Sequence, residues 1–163
     1  MIFVRSLAFN VLFYVNLIVQ MIVLGPLMFF GSEARGWWVV KNWARSSVWL
    51  LEHVGGVRSK ITGIEHVPAG PSIIAAKHQS FWDVFAIIPD LDRPTFILKK
   101  ELMGIPLFGW LAAHMGMIPV DRAKRGGAVA SMIEGARKAI AEGRQIVIFP
   151  EGTRTAPGAI ADY

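Results

Sequence analysis

From Ser6 to Ser32 the chain carries no charged residue, and that single run limits what the rest can be. It exceeds the roughly 20 apolar residues that cross a hydrocarbon core, so Leu7 to Phe30 is expected to form a transmembrane or deeply inserted helix. Pro26, directly after Gly25, lacks an amide donor and is expected to kink or end it. A cleaved signal peptide is the competing reading. The run is longer than an h-region of roughly 7 to 15 residues, and no small-x-small cleavage site follows it. With hydrophobic residues at 53% of the 163-residue chain, the composition also exceeds that of an ordinary soluble domain.

The run is followed by Trp37, Trp38, Val39, Val40, Lys41, Trp43, Arg45, Val48, Trp49, Leu50 and Leu51. This stretch holds four of the six tryptophans and two cations. Indole rings with an apolar body and a polar N–H suit the headgroup layer of a bilayer, although an aromatic-rich core helix would look similar. Residues 1–58 are therefore read as a membrane anchor and interfacial helix. Residues 59–163 are read as one α/β domain, a size near the lower end for an enzyme. Cations flank the apolar run on both sides, at Arg5 and at Arg35, Lys41 and Arg45, and give no clear positive-inside bias. A hairpin anchor would keep both flanks on one side. The net charge of +5 draws the chain to anionic surfaces; the basic residues are scattered, and no nucleic-acid partner is expected. The absence of cysteine excludes disulfides, thiolate metal sites and a cysteine nucleophile.

Beyond Ile61 short apolar strands alternate with helical stretches. Strands are expected at Ser72–Ala76, Thr95–Leu98, Met117–Val120 and Gln145–Phe149, and helices at Trp82–Ile88, Leu107–His114 and Ala128–Glu142. This alternation implies an α/β fold with a mixed or mostly parallel sheet flanked by helices, whose functional groups gather at strand ends.

Three clusters follow such strands. The first, Lys77 to Asp83, sets His78 and Asp83 five positions apart across a turn. From there Asp83 can hold one ring nitrogen of His78 and leave the other as a general base. An incoming alcohol would be the nucleophile, so no covalent enzyme intermediate is needed. Alone the spacing is weak, since such a pair arises by accident about one time in five. Ser80 lacks the flanking glycines of a nucleophile elbow. The second cluster ends a strand in Asp121 and Arg122; the planar guanidinium suits a phosphate, though a solvated surface pair reads the same way. Lys99 and Lys100 leave another strand and can add a cation. The third, Phe149-Pro-Glu-Gly-Thr-Arg154, packs an acid, a flexible glycine and a cation into one turn. His53, His66 and His114 are read as surface or packing residues, and Met103, Met115, Met117 and Met132 as core fill or acyl-chain lining.

Together these clusters resemble the glycerolipid acyltransferase family, which includes the lysophosphatidic acid (1-acylglycerol 3-phosphate) acyltransferases. The His-x4-Asp motif is matched by His78 and Asp83, and the Asp-Arg that closes the second motif by Asp121 and Arg122. The third motif is matched by Phe149 to Arg154, and the intervening Lys-x-Glu-Leu element by Lys99, Glu101 and Leu102. The match covers roughly Gly63 to Pro157. It implies that His78 deprotonates the free hydroxyl of lysophosphatidic acid while Asp83 orients it. It also implies that Lys99, Arg122, Glu151, Gly152, Thr153 and Arg154 receive the glycerol phosphate, and that acyl-CoA or acyl-carrier protein is the donor. No metal or redox cofactor is implied. The product would be phosphatidic acid for phospholipid biosynthesis, made at the cytoplasmic face of a membrane, in a bacterium the inner one. Glycerol 3-phosphate or another lysolipid is an alternative acceptor, and a non-catalytic membrane-binding form of the family an alternative role. The sequence departs from the family at Lys77, where asparagine is common. A fourth, proline-containing motif is not found before Tyr163, so the chain is expected to be a shortened form.

Overall fold

The computed structural model describes residues 1–121 and 127–159 and divides into two compact units, Met1–Ile64 with Val84–Asp90 and Glu65–Asp83 with Leu91–Tyr163.

In the first unit the apolar run forms α1 (Ile2–Val23), 22 residues or about 33 Å long, enough to cross a bilayer by length and composition. The helix starts earlier than the expected Leu7 because Arg5 is accommodated: its Nε donates to the Val54 carbonyl at 2.9 Å. It stops at Leu24, and a second short helix, α2 (Gly25–Phe29), begins with Pro26 in its first turn. Proline is tolerated there because that amide has no intrahelical partner. The single expected helix is thus two. The tryptophan-rich stretch forms α3 (Glu33–Leu50), with Glu33 in its first turn, where a carboxylate complements the helix dipole.

α3 runs back along α1. Arg5 meets residue 54, the Asn16 side-chain amide donates to Ser46 Oγ at 2.9 Å, and Gln20 Oε1 accepts from Asn42 at 3.0 Å. Gln20 Nε2 further donates to Asn16 Oδ1 and Ser46 Oγ, and Ser47 is fully buried beside them. A polar seam therefore joins the apolar α1 to the more polar α3, while the outer face of α1, including Val11, Val15, Ile18 and Ile22, stays exposed. Phe13 closes the remaining space, its ring 5.8 Å from Trp43 and 5.4 Å from Phe85. A π-helical turn, Leu51–Gly55, ends in Gly56 at φ 77°, where an added Cβ would fall 2.5 Å from the Arg5 guanidinium.

The second unit is built on a four-stranded sheet of β1 (Ser72–Ala75), β2 (Pro94–Lys99), β3 (Ile118–Val120) and β4 (Gln145–Ile148), in the order β1-β4-β2-β3. Every pairing is parallel, with Ser72 opposite Gln145, Pro94 opposite Gln145 and Ile97 opposite Ile118. The short helices α4 (Trp82–Ala86) and α5 (Phe108–His114) and the longer α6 (Gly127–Ala141) lie on the connections. α6 buries Ala139 against Ile118, Val120 and Ile146, with Met132 and Ala136 packed around them. Gly135 permits the close approach, since a Cβ there would stand 2.9 Å from the Ile118 side chain. The α/β reading holds, and the sheet is parallel throughout among the described residues.

Candidate active site

Parallel strands send all their carboxyl ends to one edge of the sheet, and the expected site residues leave from those ends. β1 and β4 remain paired one residue further, where the Ala76 amide donates to the Ile148 carbonyl at 2.9 Å. Beyond that point the two chains separate into the turns that carry His78 and Phe149–Arg154.

His78 is gripped on four sides. Its amide donates to Glu151 Oε2 at 2.7 Å, and its carbonyl accepts from the Thr155 amide at 2.8 Å and the Thr155 hydroxyl at 3.3 Å. Its ring stacks on Phe149 with centroids 4.3 Å apart and planes 26° from parallel. Nδ1 lies 3.2 Å from Asp83 Oδ2. Both side chains are largely covered, at 17% and 15% exposure.

Asp83 is itself held. Oδ2 accepts from the amides of Gln79 at 2.6 Å and Ser80 at 2.7 Å, and Oδ1 from the Ser80 hydroxyl at 3.1 Å. Burial pushes its carboxyl up, but the Ser80 and Gln79 amides, then the His78 ring and the Ser80 hydroxyl, outweigh burial and hold it below the usual carboxylate range. An ionised carboxylate only accepts, so Nδ1 carries a ring hydrogen, and in the neutral ring the lone pair lies on Nε2. A neutral imidazole so fixed, beside an anion that stabilises its charged form, can take a proton from an alcohol.

The remaining expected residues are placed unevenly. Lys99 ends β2 and is exposed, while its neighbour Lys100 pairs with Asp121 at 3.4 Å. Arg122 lies outside the described residues. Gly152 adopts φ 65° and closes the Phe149–Gly152 turn by donating its amide to the Phe149 carbonyl at 2.9 Å. Thr153 and Arg154 are exposed. Glu151 spends one oxygen on the backbone of His78, while Oε1 is buried without a hydrogen-bond partner. Among the described residues no three His, Cys, Asp or Glu side chains gather to hold a metal ion.

Four supports escaped sequence reasoning: the Glu151 clamp on the His78 amide, the Phe149 stack, the Thr155 clamp, and the amides that hold Asp83. Only the last leaves a local signal, because Ser80-x-x-Asp83 has capping-box spacing, in which the acid reaches back to the amide of the serine.

The geometry can be set beside known proteins. Residues 58–162 match the family model described as Acyltransferase. Over 159 residues the chain is 35% identical to a 1-acyl-sn-glycerol-3-phosphate acyltransferase of Pseudomonas aeruginosa, covering 94% of this chain and 62% of that protein. The enzyme of that name from Saccharomyces cerevisiae is 31% identical over 127 residues, covering 77% and 41%. The crystal structure of the 1-acyl-sn-glycerophosphate (LPA) acyltransferase PlsC from Thermotoga maritima superposes with a TM-score of 0.72 at 24% identity. That superposition covers 98% of this chain and 66% of the other, and it speaks for the fold. The chain thus spans less than two thirds of the length of these relatives.

Proposed function

The chain belongs to the acyltransferase family, and from that premise we propose that it transfers a fatty acyl group to the free hydroxyl of lysophosphatidic acid, forming phosphatidic acid. The observation that carries this reading is the His78 Nδ1 to Asp83 contact of 3.2 Å, with the carboxylate kept ionised by two amides.

In the proposed reaction His78 Nε2 removes the hydroxyl proton as the oxygen attacks the thioester carbonyl of acyl-CoA or acyl-carrier protein. The C–S bond then breaks, the acyl group stays on oxygen as an ester, and the proton held by His78 leaves with the thiol. Asp83 stabilises the transient imidazolium. Lys99, Arg122 and Arg154 are assigned to the acceptor phosphate, Arg122 and Arg154 through their planar forks. Gly152 and Thr153 shape the turn that the glycerol meets. Glu151 is given two roles: Oε2 holds the His78 backbone, and the unpartnered Oε1 accepts a hydroxyl. Residues 1–58 act as the membrane anchor and residues 59–163 as the acyltransferase domain, working at the cytoplasmic face. The names of the relatives favour lysophosphatidic acid over glycerol 3-phosphate or another lysolipid as acceptor.

The test is radiolabelled acyl transfer by the protein in phospholipid vesicles. Each donor is offered with lysophosphatidic acid, glycerol 3-phosphate and a lyso-aminolipid in turn. Transfer to lysophosphatidic acid above the other two supports the assignment. A clear preference for either of the others reassigns the acceptor, and turnover that survives His78→Ala removes the proposed base.

A further inference from the structure

Four groups hold His78, yet only two of them touch its ring. Glu151 and Thr155 fix the backbone, through the His78 amide at 2.7 Å and its carbonyl at 2.8 Å. Asp83 meets the ring at Nδ1 over 3.2 Å, the upper end of the range for an N–H···O bond. The last torsion of a histidine joins an sp³ to an sp² carbon and has a broad minimum, so one long bond at the ring edge leaves the plane of the ring free to turn. In a base this matters, because the lone pair on Nε2 must point at the hydroxyl it deprotonates.

The Phe149 ring supplies the missing restraint. Centroids 4.3 Å apart and planes 26° from parallel set one face of the imidazole against one face of the phenyl ring. The contact is built into the sheet. β1 and β4 run in parallel register with Ala75 opposite Ile148, and the bond from the Ala76 amide to the Ile148 carbonyl carries the pairing up to the turns where the rings meet. Phe149 is held in its turn, since its carbonyl accepts from the Gly152 amide at 2.9 Å.

Charge adds a second effect. The face of a phenyl ring is electron-rich, and a cation within about 6 Å of its centroid is attracted to it. In the proposed reaction His78 is neutral before the proton moves and an imidazolium after it. The stack therefore strengthens on the way to the transition state, which is where an interaction raises the rate.

We infer that Phe149 is a positioning residue for the base: its ring sets the plane of the His78 imidazole and stabilises the protonated form. The inference rests on His78 being the base, as proposed above. It separates Phe149 from Glu151, Gly152, Thr153 and Arg154 of the same turn, which are assigned to the acceptor.

The test replaces Phe149 in the full chain with phenylalanines carrying one, two and three ring fluorines. These keep the ring and nearly its shape while withdrawing charge from its face stepwise. Acyl transfer to lysophosphatidic acid in vesicles is followed with Phe149→Leu and Phe149→Tyr alongside. The expected result is a kcat that falls with each fluorine, by about tenfold at three, and a KM for the acceptor that stays level. Phe149→Leu loses at least as much, and Phe149→Tyr, which keeps the aromatic face, stays within about twofold of the parent. A kcat that is level along the fluorine series would overturn the inference, since packing alone would then account for the ring. So would a KM that rises while kcat holds, which would put Phe149 on the acceptor.

A second readout needs no turnover. In micelles the protons on the His78 ring carbons, assigned by their loss in His78→Ala, are expected upfield under the ring current of Phe149 and should move downfield in Phe149→Leu. An unchanged shift in a folded Phe149→Leu protein would mean that the rings do not stack, and the inference would fall. A parent that transfers no acyl group yet keeps the upfield signals would sink the base and this role with it, and the retained stack would tell that failure from the other.

Discussion

The two units differ in how their elements are joined. In the second, Ile118, Val120, Ala139 and Ile146 are inside, and the hydrogen-bonding groups that matter gather at the strand ends. In the first, the seam between α1 and α3 is lined with Asn16, Gln20, Asn42, Ser46 and Ser47, while the apolar face of α1 points outward. The Phe13, Trp43 and Phe85 cluster shows that the first unit also keeps an aromatic core. A water-soluble protein gains by hiding apolar surface. A helix pair in hydrocarbon gains nothing from doing so and is joined instead by packing and polar contacts. A polar seam of this kind fits the membrane anchor proposed for the first unit, and each variant below is chosen to separate the two units.

The largest separation is expected from His78→Ala. Acyl transfer should fall by about 10³-fold or more, because the base is lost outright, while sedimentation with vesicles should be unchanged. Loss of vesicle binding in this variant would show that the units do not divide the work as proposed. Next comes Asp83→Asn, which keeps the shape but cannot stabilise an imidazolium and can present the wrong tautomer. A fall of about 10²- to 10⁴-fold in kcat with little change in KM is expected. The same carboxylate makes stability depend on pH. Its folded-state pKa is depressed, so ionised Asp83 contributes its full stabilisation above the unfolded-state value, and the contribution is lost as pH falls through the folded value. Thermal unfolding of the parent protein should therefore be destabilised in the acidic range below the usual carboxylate pKa, and Asp83→Asn should flatten that slope.

Much of the second unit was legible because period and apolarity are local. α6 was expected at Ala128–Glu142 and spans Gly127–Ala141; the last strand was expected at Gln145–Phe149 and spans Gln145–Ile148. The break at Leu24 was legible in kind, since Pro26 marks it, but a proline that kinks a helix and one that opens a new helix leave the same trace. Strand order was not legible. Placing β4 between β1 and β2 is a decision among crossovers that no single segment records. The clamp of Glu151 on the His78 amide joins positions 73 apart, and nothing near either residue marks it. The polar seam is the plainest case: Asn16 and Gln20 stand in an apolar run, and only a partner helix explains them.

A core truncation should divide the units by stability. Ile146 is 1% exposed on the central strand, so Ile146→Ala should cost about 2 to 5 kcal/mol through lost burial and the cavity left behind. Ile18 on α1 is 53% exposed, and Ile18→Ala should stay within about 0.5 kcal/mol. Denaturant unfolding in detergent micelles measures both. Comparable costs would mean that the outer face of α1 is buried against something.

The smallest effect bears most directly on the seam. Gln20 bonds to Asn16, Asn42 and Ser46, so Gln20→Leu breaks the seam at its centre without changing size much. In water such a change would leave several half-buried polar groups unpaired at about 1 to 3 kcal/mol each. In a bilayer the separated helices find other partners, and interhelical hydrogen bonds average about 0.6 kcal/mol. Thermal unfolding of Gln20→Leu in micelles should therefore show a loss of about 0.6 to 2 kcal/mol, with kcat on a monomeric acceptor unchanged. A larger loss would mean that the α1–α3 pair folds as a water-soluble hairpin. An unchanged midpoint would mean that packing around Phe13 holds the two helices and the polar seam only sets their register.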